Sequence, residues 1–322
     1  MSQSVEPLTV RVQAVRWEAD SVLSYEFRRP DGAALPAFTA GAHIDLHLGN
    51  GLVRGYSLCG DQAETDRYVV AVNRDPNSRG GSEWIHANVH AGETITVSMP
   101  RNNFPLAEEA EHSVLIAGGI GITPMLGMVR RLAALGRDWT LYLAVRARGQ
   151  AAFLDELTRL AGDRPDRVRL HVDEENDGAF LDIEAVVAAA GDTAHLYCCG
   201  PVPMLEAFEK ATAGLPPERR HLEYFAGKDD AATEGGFEVE LTRTGITLTI
   251  PEGSTILDAV LEAGVDMPYS CGEGVCGSCE TRVISGTPDH RDLILTDQER
   301  EAGETMMICC SGSRSARLVL EL

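Results

Sequence analysis

Positive charge is scarce in this sequence: Lys and Arg number 28 against 49 Asp and Glu, a net charge of −21. Nucleic acids and anionic membranes need a basic footprint on the protein, so neither is expected as the main partner. Long hydrophobic runs are missing as well. The longest uncharged stretch, Val114 to Val129, is broken by Gly118-Gly119 and Thr123-Pro124 and is shorter than the ~20 residues of a membrane span. The start, Met1 to Arg11, has no basic segment followed by an apolar one, so no signal peptide is read there and the cytoplasm is the expected compartment. There is no internal repeat and no low-complexity tract, which excludes solenoid and disordered classes.

What remains is a globular composition: 322 residues, 44% apolar and 24% charged, enough for two or three domains. Residues 1 to about 106 read as short strands, such as Leu8-Val12, His43-Leu48, Tyr68-Val72 and Thr94-Ser98, with Gly and Asn turns between them; that pattern suggests an antiparallel β-barrel. From Val114 strands alternate with helices, at Val114-Ala117, Thr140-Val145, Val168-Val172 and His195-Cys198, which implies a parallel α/β sheet over 107–226. The first of its helices is expected from Pro124 to Ala134, with Gly136 just past its end. A polar stretch at 227–235 reads as a linker. Beyond it, over 236–322, Phe237-Leu241 and Ile246-Ile250 alternate about Thr244-Gly245 as a hairpin does, and Thr255 to Ala263 carries helical spacing. This last segment is the most acidic, with 6 basic and 15 acidic residues.

Eight cysteines stand at 59, 198, 199, 271, 276, 279, 309 and 310. Half or more of them fall in the last segment of a chain with no export signal, which favours metal ligation over disulfides. Cys271, Cys276 and Cys279 form a C-x4-C-x2-C loop, followed after 29 residues by Cys309, the plant-type spacing for a two-iron, two-sulfide cluster. Gly272, Gly274 and Gly277 let that loop fold so that N–H groups face the anionic sulfurs. The competing reading is structural zinc, which usually shows paired C-x2-C elements. Cys309 and Cys310 are adjacent; on an extended segment they face opposite ways and only one can reach the irons. Spacing does not choose between them.

Two candidate cofactor pockets precede this. Arg54-Gly55-Tyr56-Ser57-Leu58 lies on a barrel strand, where Arg suits a phosphate or a ring carbonyl, Tyr can stack and Ser can donate to a ring nitrogen; ordinary strand packing is the competing account. Arg79-Gly80-Gly81-Ser82 feeds a helix expected from Glu83 to Val89, and a helix start offers free N–H groups to a phosphate, although a bland Gly-Gly turn explains it equally. Gly118-Gly119-Ile120-Gly121-Ile122-Thr123-Pro124 follows the first parallel strand and opens a helix, where a dinucleotide pyrophosphate sits. It is not a strict dinucleotide fingerprint, and no Lys-Ser/Thr follows to make an ATP loop. A later strand ends in Cys199-Gly200-Pro201, a second sharp turn at a carboxyl edge. Arg146 and Arg148 follow the second parallel strand, either reading an adenosine 2′-phosphate or standing as solvated charges.

Together these motifs resemble the ferredoxin–NADP reductase-like superfamily and, more narrowly, the phthalate dioxygenase reductase family, over nearly the whole chain. The resemblance implies a flavin barrel, an NAD domain and a C-terminal β-grasp ferredoxin domain. It implies flavin positions at Arg54, Tyr56, Ser57, Leu58, Val72, Asn73, Arg79, Gly80, Gly81 and Ser82. The pyridine nucleotide positions are Gly118, Gly119, Gly121, Thr123, Pro124 and Arg146, and Cys199-Gly200-Pro201 is the nicotinamide-side turn. Phe225, in His221-Leu222-Glu223-Tyr224-Phe225, lies near the isoalloxazine, and Thr123, Cys199 and Phe225 shape the hydride gap. Cys271, Cys276, Cys279 and Cys309 are the cluster ligands, leaving Cys310 as a small buried apolar group. Pro288-Asp289-His290-Arg291-Asp292 belongs to the likeness without a derived role; a helix-entry cap or a surface ion pair is expected of it. Gly312-Ser313-Arg314 departs from relatives that carry an earlier basic residue.

The implied activity is an NADH-dependent reductase component passing electrons from NADH through FMN and a [2Fe-2S] cluster to a separate Rieske-type oxygenase, with FAD and NADPH as alternatives to FMN and NADH. Hydride carries two electrons and the metal centre takes one at a time, so the flavin converts between them. A monomer is expected. The acidic last segment either steers docking onto a basic partner or keeps the domain soluble. Competing functions are a reductase for another acceptor such as a cytochrome P450, and a non-enzymatic electron carrier or redox sensor.

Overall fold

The computed structural model describes residues 7–76, 78, 80–225 and 231–322. Arg79 of the flavin set and residues 227–230 of the expected linker therefore lie outside the described residues. Contacts divide the chain into two compact units, Met1–Phe225 and Ala226–Leu322. Among the described residues no helix is long and apolar enough to cross a membrane.

The first unit opens with six antiparallel strands: β1 (Leu8–Ala19), β2 (Val22–Arg28), β3 (His43–His47), β4 (Val53–Ser57), β5 (Tyr68–Asn73) and β6 (Thr94–Val97). Their order in the sheet is β4-β3-β6-β1-β2-β5. Register shifts at Val12/Ala14 and Trp17/Ala19 bend β1 against β2, the effect of bulges that curl a sheet. A bridge between Leu58 and Val70 joins the two edge strands, so the sheet closes on itself around Val10, Tyr25, Phe27, Ile44, Leu46, Tyr68, Val70 and Val97, all buried. This is the barrel that the turn-punctuated strands implied. Helix α1 (Gly81–Asn88) follows β5. It starts two residues earlier than expected because Gly80, at φ 86°, turns straight into it, a left-handed conformation that glycine adopts without strain.

Five parallel strands follow: β7 (His112–Gly118), β8 (Asp138–Val145), β9 (Val168–Val172), β10 (His195–Cys199) and β11 (Arg220–Glu223), ordered β11-β10-β7-β8-β9. Helices α2 (Ile122–Leu135), α3 (Leu154–Ala161), α4 (Ile183–Ala189) and α5 (Val202–Thr212) lie between them. In α2, Ile122, Met125, Leu126, Met128, Val129 and Leu132 are all fully buried. The helix ends where Gly136 takes φ 66° and its N–H, with that of Arg137, turns back to the carbonyls of Ala133 and Leu132, a glycine stop read correctly from the sequence. β11 is four half-buried residues with no alternation, so no strand signal marks it.

The second unit holds β12 (Glu238–Leu241), β13 (Ile246–Thr249), α6 (Ile256–Glu262), β14 (Glu280–Ser285), β15 (Pro288–Asp289), α7 (Asp297–Ala302), β16 (Thr305–Met307), β17 (Gly312–Ser313) and β18 (Arg317–Leu320). Its main sheet runs β13-β12-β18-β14-β16, with β18 parallel to β12 and antiparallel to β14. The expected hairpin forms about Gly245, and Thr255 caps α6 through a reciprocal pair with Asp258. Val239, Val260, Met306, Met307, Ile308, Leu318 and Leu320 are fully buried in its core, which carries the cysteine loop.

Candidate functional site: a nucleotide crevice, a helix-start turn and a thiol centre

The parallel sheet reverses its winding between β7 and β10: β8 and β9 lie to one side of β7, β10 and β11 to the other. Ligands of open α/β sheets collect outside the strand carboxyl ends at such a switch point. Both glycine turns of that region meet here. A β-carbon on Gly118 would lie 2.6 Å from Pro201 Cδ, 2.9 Å from Met204 Sδ and 3.2 Å from Gly200 Cα, and one on Gly121 would fall inside the Cys199 carbonyl. The two backbones touch, and only glycine permits that approach. Gly119 has open space beside it and φ 53°. Helix α2 starts with no side-chain cap on Gly121, leaving first-turn N–H groups for a ligand. Thr123 and Pro124 are buried at this start, with Thr123 Oγ1 donating to the Ile120 carbonyl (3.0 Å).

Ala117, Cys199 and Glu223 stand side by side in register on β7, β10 and β11. Burial, and then the neighbouring Glu223, push the Cys199 thiol far up, so it stays a neutral packing group. Burial pushes the Glu223 carboxyl up to about 8, and its Oε2 is buried without a partner among the described residues. Phe225, the aromatic residue of the same segment, is 40% exposed at the end of this unit, whereas the resemblance assigns no part to Glu223. A carboxylate at a carboxyl edge, opposite Cys199, was the signal available. Of the two basic residues after β8, Arg148 is held by Glu175 through two hydrogen bonds of 2.7 Å. Arg146 is exposed and has no ion-pair partner among the described residues.

The two flavin motifs also come together. A β-carbon on Gly81 would lie 2.9 Å from Arg54 Cγ and 3.0 Å from Arg54 Nε, so the guanidinium stem from β4 lies against the start of α1. Among the described residues no side chain caps that helix start. Ser82 Oγ accepts from the Asp75 N–H at 3.2 Å. On the barrel, Ser57 and Leu58 are buried and Tyr56 half-buried, and burial pushes the Tyr56 hydroxyl far up. Val72 is buried, Asn73 half-buried, and the Val72 carbonyl pairs with His86 Nε2 at 2.9 Å. A cation beside uncapped N–H groups fits a terminal phosphate.

In the second unit the cysteine loop closes on itself. Glu273 N–H points at Cys271 Sγ (3.3 Å), Gly274 N–H at Cys309 Sγ (3.2 Å) and Cys271 N–H at Cys276 Sγ (3.5 Å). Cys276 Sγ also meets Ser278 Oγ (3.4 Å). The neighbouring Cys276 and Cys309 thiols hold Cys271 far below the usual thiol range, and Cys276 and Cys309 are pushed up in return. Four clustered thiolates would repel one another, so a cationic centre suits the donor set, and the inward N–H groups suit sulfur anions. Among the described residues no three such groups are set around a single ion; Cys271, Cys276, Cys279 and Cys309 fit a di-iron cluster instead.

The segment after β16 differs from the extended geometry assumed from sequence. Residues 308–310 form a turn, with the N–H groups of Cys310 and Ser311 both reaching the Met307 carbonyl (3.3 and 3.0 Å). Neighbouring side chains in a turn need not oppose one another, and here both thiols meet the cysteine loop. Asp289 forms ion pairs with Arg291 (2.8 Å) and Arg314 (3.0 Å), as an ion pair was expected to. Asp292 is neither on the surface nor a helix cap: it is 1% exposed, and its Oδ1 accepts the N–H groups of Ile294 (3.1 Å) and Leu295 (2.8 Å). The neighbouring Leu293 N–H holds the Gly274 carbonyl at 2.9 Å, tying this segment to the thiol loop.

Residues 239–313 match the family of 2Fe-2S iron-sulfur cluster binding domains, and residues 115–210 that of oxidoreductase NAD-binding domains. Phthalate dioxygenase reductase of Burkholderia cepacia is 40% identical over 317 residues, 98% of this chain and 97% of that protein. The chain belongs to the phthalate dioxygenase reductase family. A solved structure of phthalate dioxygenase reductase, described as a modular structure for electron transfer from pyridine nucleotides to [2Fe-2S], matches over 99% of both chains with a TM-score of 0.75. The phenoxybenzoate dioxygenase subunit beta of Ectopseudomonas oleovorans is 56% identical over 320 residues, 99% of this chain and 98% of the relative. An intact type IV self-sufficient cytochrome P450 monooxygenase contains the same fold, with a TM-score of 0.85 and 40% identity over 98% of this chain, which spans 41% of that longer one. Members of the phthalate dioxygenase reductase family thus unite the two sites found here in one chain.

Proposed function

We propose that this chain is the NADH-dependent reductase component of a two-component oxygenase, delivering single electrons to a separate Rieske-type oxygenase. The observation that carries this is the presence, in one chain, of a glycine turn opening a helix at a sheet switch point and a four-thiol centre whose loop N–H groups face the sulfurs. When bound, the flavin takes electrons from NADH in pairs and the di-iron cluster carries them singly. The barrel over 1–106 would hold FMN, the sheet domain over 107–226 the nucleotide, and the segment from 236 to 322 the cluster.

The residues act by binding and orientation. The Gly118–Gly121 turn and the free N–H groups of α2 receive the pyrophosphate, while Cys199, Gly200 and Pro201 form the wall facing the nicotinamide. Thr123 sits fully packed at the helix start and fixes its first turn. Phe225 supplies an aromatic face at the flavin side of the gap. Arg54 and the N–H groups after Gly80 bind the flavin phosphate, which is the reason to favour FMN. Glu175 takes up Arg148, one of the two cations that could read a 2′-phosphate, which supports NADH; Arg146 is the remaining position from which NADPH could be recognised.

The likeness to the reductase portion of a self-sufficient P450 supports a second reading, a haem acceptor in place of the Rieske centre. Anaerobic mixing with NADH tests the main proposal. Bleaching of flavin and cluster absorption, release of FMN on acid treatment, and faster reduction by NADH than by NADPH are expected. Protein reconstituted with iron and sulfide that holds no acid-labile sulfide, or is not bleached by NADH, overturns it. Catalytic turnover with a purified Rieske oxygenase but not with a P450 separates the two acceptors.

A further inference from the structure

The turn over residues 308–310 brings a fifth sulfur to the thiol centre. Cys310 is 4% exposed, and its Sγ lies so close to Gly274 that a β-carbon there would fall against it. Gly274 is the residue whose N–H points at Cys309 Sγ. The two neighbouring sulfurs therefore meet the same loop residue. Cys310 Sγ is otherwise lightly held: its partners are the Met307 carbonyl at 3.8 Å and Ser311 Oγ at 3.9 Å. Gly274, at φ 71°, takes a conformation in which any other residue is strained, and the missing side chain is what makes room for this thiol.

We propose that Cys310 is a reserve ligand: a thiol able to hold the iron–sulfur centre in place of Cys309. A buried free thiol beside four ligand thiols needs only a rotation about its side-chain bond to present a fifth donor, because the turn has already delivered its α-carbon to the site. In the exchange the bond from iron to Cys309 sulfur breaks and one to Cys310 sulfur forms. The proton leaving the Cys310 thiol is matched by one taken up by Cys309, and no electron changes hands. The centre keeps four thiolates throughout. The proposal rests on the reading of this site as a [2Fe-2S] centre, and the unaltered protein tests that reading separately: full-length protein that takes up no sulfide overturns the reading itself.

The experiment uses full-length protein reconstituted anaerobically with ferrous iron and sulfide, in four forms: unaltered, Cys309→Ala, Cys310→Ser and Cys309→Ala/Cys310→Ser. Acid-labile sulfide per chain and the paramagnetic spectrum after dithionite reduction are read, neither of which needs oxygenase activity. Cys309→Ala is expected to retain several-fold more sulfide than the double variant, with shifted g-values that report a changed ligand. Equal sulfide in the two overturns the proposal. Should Cys309→Ala lose its far-ultraviolet circular dichroism, the Cys310→Ser form decides. Cluster release to bathophenanthroline several-fold faster than in the unaltered protein, at an unchanged thermal midpoint, supports a reserve ligand that recaptures iron; an unchanged release rate overturns it.

Discussion

Gly121 and Cys199, 78 positions apart in sequence, meet backbone to backbone: a β-carbon on the first would fall on the carbonyl oxygen of the second. This contact locks the start of α2 against the end of β10 at the switch point of the sheet. A carbonyl cannot rotate away like a side chain, so Gly121→Ala must push helix and strand apart. The cost is on the order of 1–3 kcal/mol of stability, the range for overpacking a tight contact. The KM for NADH is expected to rise about tenfold or more, because the pyrophosphate turn moves; steady-state kinetics with ferricyanide as acceptor measure it.

Glu223 should make stability depend on pH in an unusual direction. Its carboxyl is raised by burial from about 4.5 to about 8, so the folded state holds a proton that the unfolded chain releases. That contribution is fully present below pH 4.5 and is lost as pH rises through 8. Glu223→Gln keeps the shape and removes the titration. The decline in thermal midpoint between those limits should be smaller in the variant than in the unaltered protein.

A histidine pair bends the profile the other way. His195 Nδ1 and His221 Nε2 are 3.1 Å apart, and the His221 ring stacks on Tyr197 at 4.4 Å between centroids. Burial, then His195, lowers His221 from 6.5 to about 4. The unfolded chain therefore binds the extra proton first, and stability present above pH 6.5 is lost as pH falls toward 4. His221→Phe preserves the stack on Tyr197 and should flatten the acid limb of urea midpoints measured across that range.

Asp292 offers a test of what holds the thiol loop in place. Its buried carboxylate accepts two backbone N–H groups, and the residue between them and it anchors the Gly274 carbonyl. Asp292→Ala strands both donors, at about 1–3 kcal/mol for each unsatisfied buried group. Asp292→Asn retains an acceptor oxygen and should recover most of the loss. Thermal midpoint and the rate of cluster loss in air, followed by visible absorption, report the two effects together.

Much of this architecture was legible in the residues because each signal was local. Gly136 stops α2 where its φ turns positive, Gly245 makes the hairpin, and Thr255 with Asp258 caps α6. The cysteine spacing, too, is a property of one loop. What the sequence did not reveal depends on neighbours brought from afar. β11 has no alternation because it is an edge strand, half-covered along its length. Glu223 acquires its protonation behaviour only through burial in the folded sheet, and Asp292 its burial only beneath the thiol loop. Spacing leaves Cys309 and Cys310 equivalent and the resemblance assigns the ligand to Cys309, while the turn over 308–310 that carries both thiols to the loop has no local signal. Spacing cannot report a turn that tertiary packing imposes.

The order of strands in the second unit gives its final strand an outsized part. β18 lies between β12 and β14, yet it comes after all five thiols in sequence. Without β18 the sheet would fall into two separate halves, β13-β12 and β14-β16. The cysteine loop, which leads into β14, therefore depends for its footing on a strand that supplies no ligand.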